Sequence, residues 1–459
     1  MDATFRYAKF IDETNYEVLP KEVVEITKTF ILDTFACVIA GSTAPGCREI
    51  VEEVRDWGGR EDSTILIHGE KVPVHHATLL NSVMAHALDL DDCHDMNANH
   101  VYNAVLGAGL ALAEMKNGLS GKDFITAVAL GVDISCRIAN ACEHFYGWHP
   151  AAVYSVFGAA ATASKILQLN EEETINTFGI AYSQTGGTFQ SNIDGALVKR
   201  MQPGLNARGA VMGSFMAKRG ISGPQDVLEG RCGFFNLYQR GTYNPRELTD
   251  DLGKRFEGVN DSIKPYPCCR CNHAAVDAAL EIAKNNDMSP ENIDHIDVYV
   301  TAHCHRVTGR PFELEGDPQV YAQFCIPYTV TASLLRKDLF ISDFDEKAIR
   351  DPNIKKVATR VKVIPDEDVP LSTPTIIKMG PSTVNVTMKD GNVLSKRVEF
   401  PRGDPRNPMT FDDVIQKLRK CLPYSLHPLN ERKIEKGIEM IGELEEIDDV
   451  RKIIPNFCR

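Results

Sequence analysis

From Lys21 to Gly220 the chain is a near-continuous series of apolar, alanine- and glycine-rich segments with helical spacing. That succession restricts the fold more than any other feature. KEVVEITKTFILDTFACVIAG (21–41) begins amphipathic and becomes almost wholly apolar, and Gly41 supplies a stop. Helices are predicted over 43–57, 74–88, 101–115, 120–141, 151–169, 170–185 and 203–220, with a short one over 223–230. Ser120 or Asp123 would cap one of them, and Asn170 followed by Glu173 fits a capping box. STILI (63–67) reads as a short extended segment. Helices this rich in small and apolar residues must bury one another, which implies a large all-helical domain.

The pattern changes after about residue 265. A helix over 273–286 is followed by alternating strand patterns at 293–304 and 355–366, with a helix at 327–337 between them. TIIKMG (375–380) reads as a strand, and STVNVTMKDGNVLSKRVEF as a hairpin turning at Asp390–Gly391 in a type I′ turn. PRGDPRNPM (401–409) is a linker, after which helices return at 411–422 and 429–443. The expected architecture is mostly α: a large helical domain of residues 1–265 and 405–459, with a smaller α+β domain of 266–404 inserted in it.

The formal charge of −13 speaks against broad nucleic-acid or membrane-surface binding, though not against a small anion held by a few local cations. No apolar stretch approaches the roughly 20 residues of a spanning helix. The opening MDATFRYAKFIDETNYE is too polar for a secretory leader. With thirteen scattered cysteines, an odd number, the expectation is reduced thiols and a cytoplasmic protein.

Polar residues gather in a few places. HALDLDDCHDMNANH (86–100) sits between two apolar helices and carries His86, Asp89, Asp91, Asp92, Cys93, His94, Asp95 and His100. Asp89 would share a helical face with Asp92 and with Cys93. Such a run can also be a polar helix connection or a divalent-metal site, although no H-E-x-x-H accompanies it. His149 precedes Pro150 at a helix start, where the helix field disfavours the imidazolium and leaves a usable general base. Lys199–Arg200 follow a glycine-punctuated segment without a Walker pattern, and two cations there could bind a carboxylate. KPYPCCRCNH (264–273) packs Cys268, Cys269, Arg270, Cys271 and His273 together. It has no second cysteine pair for zinc, and Arg270 offers a planar fork for a carboxylate. Tyr328, beside Pro327 on a buried helix, is a proton donor, a substrate hydrogen bond or a core tyrosine.

Taken in order, HALDLDDCH…H, GWHP, Lys-Arg-x-x-Pro-Gly, KPYPCCR and Phe-x-x-Pro-Tyr resemble the MmgE/PrpD family over nearly the whole chain, with support from ILDTFACVIAGS and GPQDVLEGRCGFF. Members of that family include dehydratases of 2-methylcitrate, decarboxylases of cis-aconitate and epimerases of iminodisuccinate. The resemblance implies a helical domain with an α+β lid domain, a homodimer, a small di- or tricarboxylate substrate, and no metal or organic cofactor. It carries Asp89, His100, His149, Lys199 and Tyr328 onto catalytic positions, and it places Asp92 on the next family aspartate. Substrate-binding roles are expected for Asp92, Cys93, Arg200, Gln202, Cys269, Arg270 and His273. This chain has Cys93 where many members have threonine, Gln202 where histidine is common, and Cys269 where the decarboxylases carry histidine.

The chemistry common to such enzymes is proton abstraction next to a carboxylate. His149 or His100 would be the base, Lys199 or Tyr328 the acid, and Asp89 would orient an imidazole, while Lys199, Arg200 and Arg270 hold carboxylates. A hydro-lyase is the leading expectation, ahead of a dicarboxylate epimerase and a decarboxylase. A helical interaction protein is the non-enzymatic competitor.

Overall fold

The computed structural model describes residues 2–313, 318–367, 369 and 379–459. It is 57% helical and 10% strand, which makes the fold mostly α with a smaller α+β region. Two compact units emerge. One comprises Met1–Phe189, Arg200–Asp261 and Thr410–Arg459, and the other Gln190–Lys199 and Ser262–Met409.

The first unit is built from α1 (Lys21–Gly41), α2 (Val74–His86), α3 (Tyr102–Lys116), α4 (Gly121–Asn140), α5 (Ser155–Leu167), α6 (Glu171–Tyr182) and α7 (Gln202–Lys218). The tail adds α8 (Phe411–Cys421) and α9 (Glu431–Gly442) to the same unit. Ser120 caps α4, and the Asn170–Glu173 capping box opens α6. Small residues decide how closely these helices cross. A Cβ on Gly131 of α4 would lie 2.0 Å from Thr162 Oγ1 and 2.7 Å from the Gly158 carbonyl of α5. A Cβ on Gly41 would lie 1.9 Å from the carbonyl of Met84, so the end of α1 rests directly on the last turn of α2.

The predicted helix over 151–169 is interrupted. A first turn, Pro150–Val153, is followed by α5, and the Ser155 hydroxyl bonds back to the Ala151 carbonyl at the break. No helix forms over 223–230. The amides of Leu228 and Glu229 that would extend one donate instead to the Asp2 carboxylate, at 3.2 and 2.6 Å.

The second unit holds a four-stranded sheet of β1 (Ile293–Val300), β2 (Val361–Pro365), β3 (Ser382–Met388) and β4 (Val393–Val398) in the order β2-β1-β3-β4. Only the β1–β2 pair is parallel. Val298, Val384 and Val386 on one face pack with Ala275, Ala279 and Ile282 of the helix His273–Lys284. The predicted strand over 293–304 ends early, because the Thr301 hydroxyl caps a new helix, Ala302–Thr308. The first half of the predicted strand over 355–366 belongs to a helix, Pro352–Ala358. Asp351 caps it, and Ile354, Val357 and Ala358 are buried at helical spacing. The hairpin turns as expected at Asp390–Gly391, but only Gly391 has positive φ, at 87°. The Gly391 amide closes on the Met388 carbonyl, so the turn is not type I′. Most of the strand predicted over TIIKMG lies outside the described residues.

No cysteine pair among the described residues is joined by a disulfide. No described helix is long and apolar enough to cross a membrane.

Candidate active site

The polar run after α2 is not helical. Asp89 takes a left-handed conformation, φ 54°, and the chain then bends at Asp91 before the Cys93–His94 pair. Asp89, Asp92 and Cys93 therefore do not share a helical face as expected. His94 to Asn99 closes a tight loop through the His94 amide and the Asn99 carbonyl, 2.9 Å apart. This returns the chain to α3 with His100 just ahead of it.

Two residues beyond the left-handed step at Asp89, Asp91 is buried. Its Oδ2 accepts from His86 Nδ1 at 2.8 Å and from Asn103 Nδ2 at 2.9 Å, while Oδ1 stands 3.5 Å from His100 Nδ1. Burial works to raise this carboxyl, but the His86 and His100 imidazoles outweigh it and hold Asp91 well below the usual carboxylate range. The His86 ring centroid lies 5.1 Å from that of His100 and 5.8 Å from that of His149. His86, Asp91 and His149 are buried, whereas His100 keeps 12% of its side chain exposed. His86, Asp91 and His100 also bring three donor atoms within 4.8 Å of one another, a spacing a metal ion could use.

His149 sits ahead of Pro150 as the sequence implied, and its backbone amide donates to the Gly187 carbonyl at 3.2 Å. Its Nδ1 lies 2.7 Å from Gln202 Oε1. Gln202 Nε2 donates to the Thr188 carbonyl at 3.2 Å, which fixes the amide so that an acceptor faces the ring. His149 Nδ1 therefore carries the hydrogen and Nε2 the lone pair. Gln202, expected to bind substrate, meets the His149 ring here.

Asp92 is a cap. Its carboxyl accepts from the amides of Val101 at 2.7 Å and Tyr102 at 3.1 Å, satisfying donors at the start of α3. Burial, with Asp91 adding to it, pushes Asp92 up to about 8 against a hydrogen bond with Asp261. Beneath the loop lies Lys417 of α8. It pairs with Asp33 of α1 at 2.6 Å and donates to the Leu90 carbonyl, between Asp89 and Asp91, at 2.8 Å. All three are buried. Arg200 donates to the Pro45 carbonyl at 2.9 Å.

In the second unit, Lys199 is buried with its ammonium 5.5 Å over the Phe324 ring. The Arg270 fork donates to Ser262 Oγ and the Arg402 carbonyl, both at 3.2 Å, and lies 3.4 Å from His273 Nδ1. His273 Nε2 reaches the Cys268 carbonyl at 3.2 Å. Both side chains make these contacts within their own unit. Cys269 is buried beside Cys271, whose thiol is pushed well up by hydrogen bonding to Cys269 and Cys304 and by burial. Tyr328 lies in the core, its hydroxyl donating to the Asp343 carbonyl.

Sequence reasoning passed over His86, Asp91, Asn103 and Lys417. His86 and Asp91 were visible in the acidic run. The left-handed turn at Asp89 has no signature in the sequence, because aspartate is only an occasional occupant of that conformation. Lys417 lies more than three hundred residues from its partner loop.

The site thus holds a buried carboxylate with two imidazoles beside it and a third, His149, next to the His86 ring. The chain belongs to the MmgE/PrpD family: residues 6–246 match the MmgE/PrpD N-terminal domain and residues 266–442 the C-terminal domain. It is an enzyme of that family. It is 25% identical to a cis-aconitate decarboxylase of Aspergillus terreus, covering 95% of this chain and 92% of the relative. It is 24% identical to the cis-aconitate decarboxylase of Mus musculus, over 97% and 91% of the two chains. Against a 2-methylcitrate dehydratase of Cupriavidus necator it is 22% identical, over 92% and 90%.

Proposed function

We propose that the chain is a lyase acting on a small hydroxylated di- or tricarboxylate. It removes the proton α to a carboxylate and expels the neighbouring hydroxyl as water. The supporting observation is His149, buried, with Nδ1–H held by Gln202 and Nε2 left as the base. His149 Nε2 takes the carbon-bound proton, and His100, the partly exposed imidazole beside Asp91, protonates the leaving hydroxyl. A buried imidazole avoids competing protonation by bulk water. A base and an acid of this kind each supply roughly a hundredfold or more. The family pattern gives Lys199 the task of meeting the carboxylate charge that grows as the proton leaves.

Decarboxylation is the second reading, favoured by the near full-length similarity to cis-aconitate decarboxylases. In that case an acid group delivers a proton to carbon as carbon dioxide departs. Incubation with 2-methylcitrate, citrate and cis-aconitate in deuterated water separates the two. A hydro-lyase builds the ultraviolet absorbance of a conjugated alkene, and a decarboxylase releases carbon dioxide. Deuterium exchange with neither product marks an epimerase. If His149→Ala kept full turnover of the acid that reacts, the proposed base would be wrong.

A further inference from the structure

A second group of polar side chains gathers at the far end of α2. Trp57 ends the helix Cys47–Trp57, and two glycines at positive φ, Gly58 and Gly59, follow it. A Cβ on Gly59 would lie 2.5 Å from the ring of Pro73, the residue before α2. From α7, a Cβ on Gly204 would lie 2.8 Å from the Leu79 carbonyl, so the two helices touch there. One turn further along α7 is Arg208, and one turn earlier on α2 are His75 and His76. The Arg208 guanidinium stands 5.5 Å over the Trp57 ring. The His76 ring lies 5.1 Å from that indole and 4.1 Å from the His75 ring.

These groups are donors without acceptors. Among the described residues no carboxylate pairs with Arg208, and its Nε is buried with no hydrogen-bond partner. His76 is only 7% exposed, and its Nδ1 is likewise buried and unpartnered. Burial, with His75 and Arg208 adding to it, lowers His76 to about 4, so the ring stays neutral. A neutral ring can still donate through Nδ1–H. No side chain caps α2, so its first amides and the positive end of its dipole lie beside the same rings. The nearby carboxylates are engaged elsewhere: Asp62 with Arg60 at 2.7 Å and Glu53 with Trp57 Nε1 at 2.7 Å.

We infer that Arg208, His75, His76 and the first amides of α2 bind a phosphate group, free or carried on a small ester whose body lies against Trp57. The guanidinium fork and a helix N-terminus both suit an oxyanion. The donors come from α7, from α2 side chains and from α2 backbone, and a tetrahedral anion can meet all three. Trp57, 46% exposed, supplies an apolar wall beside them. Ten residues of α2 separate His76 from His86, about 15 Å along the helix. The site is therefore separate from the acid–base cluster and does not rest on the lyase reading.

The test is isothermal titration of the full-length chain with inorganic phosphate and with adenosine monophosphate, against chloride at matched ionic strength. Saturable binding at one site per chain is expected, and Arg208→Met should weaken it by about tenfold or more. The same variant should leave turnover of a reacting acid unchanged in phosphate-free buffer. Tighter binding of the nucleotide identifies an ester as the occupant, and nucleotide binding no tighter than phosphate identifies the free ion. Binding of neither overturns the inference. So does binding that Arg208→Met leaves intact, because the anion would then sit elsewhere. A second measurement needs Arg208 in place. The chain has two tryptophans, so Trp148→Phe leaves Trp57 as its one indole. Phosphate should change the Trp57 emission as the guanidinium over the ring turns to the ligand, and an unchanged emission at saturation would also overturn the assignment.

Discussion

At the scale of single residues, the site is decided by which carboxylate faces in. Asp89 and Asp91 are both buried, and Asp91 is the one that meets His86 Nδ1. The neighbouring Asp92 carries a different consequence. Its carboxyl is pushed up to about 8 in the folded chain from an ordinary 3.8, chiefly by burial. Between those values the folded state binds a proton that the unfolded state has released. Stability therefore falls as pH rises through that window, by at most about 1.4 kcal/mol per pH unit for one proton. Asp91 does not oppose this trend, because its depressed carboxyl loses its contribution only as pH falls below the usual range. Asp92→Asn keeps an oxygen for the α3 amides and cannot ionise. Urea denaturation from pH 5 to pH 7.5 should show a steeper decline for the parent than for the variant. Parallel slopes would refute the assignment. At Gln202, substitution by leucine removes the acceptor for His149 while keeping the volume. A loss of kcat of at least tenfold is expected, and Gln202→Glu, which restores an acceptor, should recover part of it.

At the scale of elements, much of the fold could be read directly because its signals are local. The capping box at Asn170–Glu173, the stop at Gly41 and the turn at Asp390–Gly391 are written within a few adjacent residues. The errors fall where a distant group competes with local preference. Asp2 takes the amides that would have made a helix of 223–230, and no pattern within that segment shows it. The reverse case is α8, whose helix is legible but whose purpose is not. Lys417 looks like one more surface lysine until the tail packs onto α1 and buries it against Asp33 and the Leu90 carbonyl. Burial works to lower its ammonium, but Asp33 outweighs that and holds it above the ordinary lysine value. Lys417→Met leaves a buried carboxylate uncompensated, and a loss of about 3–5 kcal/mol is expected. The double variant with Asp33→Leu should recover most of it, because it removes the unpaired charge. Chemical denaturation of the two variants decides this: equal losses would mean that Lys417 acts through packing alone.

At the scale of the whole molecule, the thirteen cysteines sort by burial rather than by the motif that contains them. KPYPCCRCNH is expected from the family resemblance to bind substrate through Cys269, Arg270 and His273. In the fold, Cys268, Cys269 and Cys271 are core residues of the second unit, with the Cys271 thiol pushed well above its ordinary value. Cys93 is buried at the foot of the site loop, and in the helical unit Cys37, Cys136 and Cys421 are buried with their thiols raised by burial. Cys232, in the segment after α7, is the exposed one. Reaction with an alkylating reagent requires access, and the buried thiols lack it. Brief treatment of the native chain with N-ethylmaleimide should therefore add a single label, found at Cys232 by peptide mass spectrometry. Urea should open the remainder together, as the units unfold. A label at Cys93 or Cys269 under native conditions would show that the site loop or the thiol cluster opens to solvent, and would refute the burial argument at those residues. Labelling confined to Cys232, with turnover unchanged, would separate thiol chemistry from the acid–base chemistry of the imidazoles.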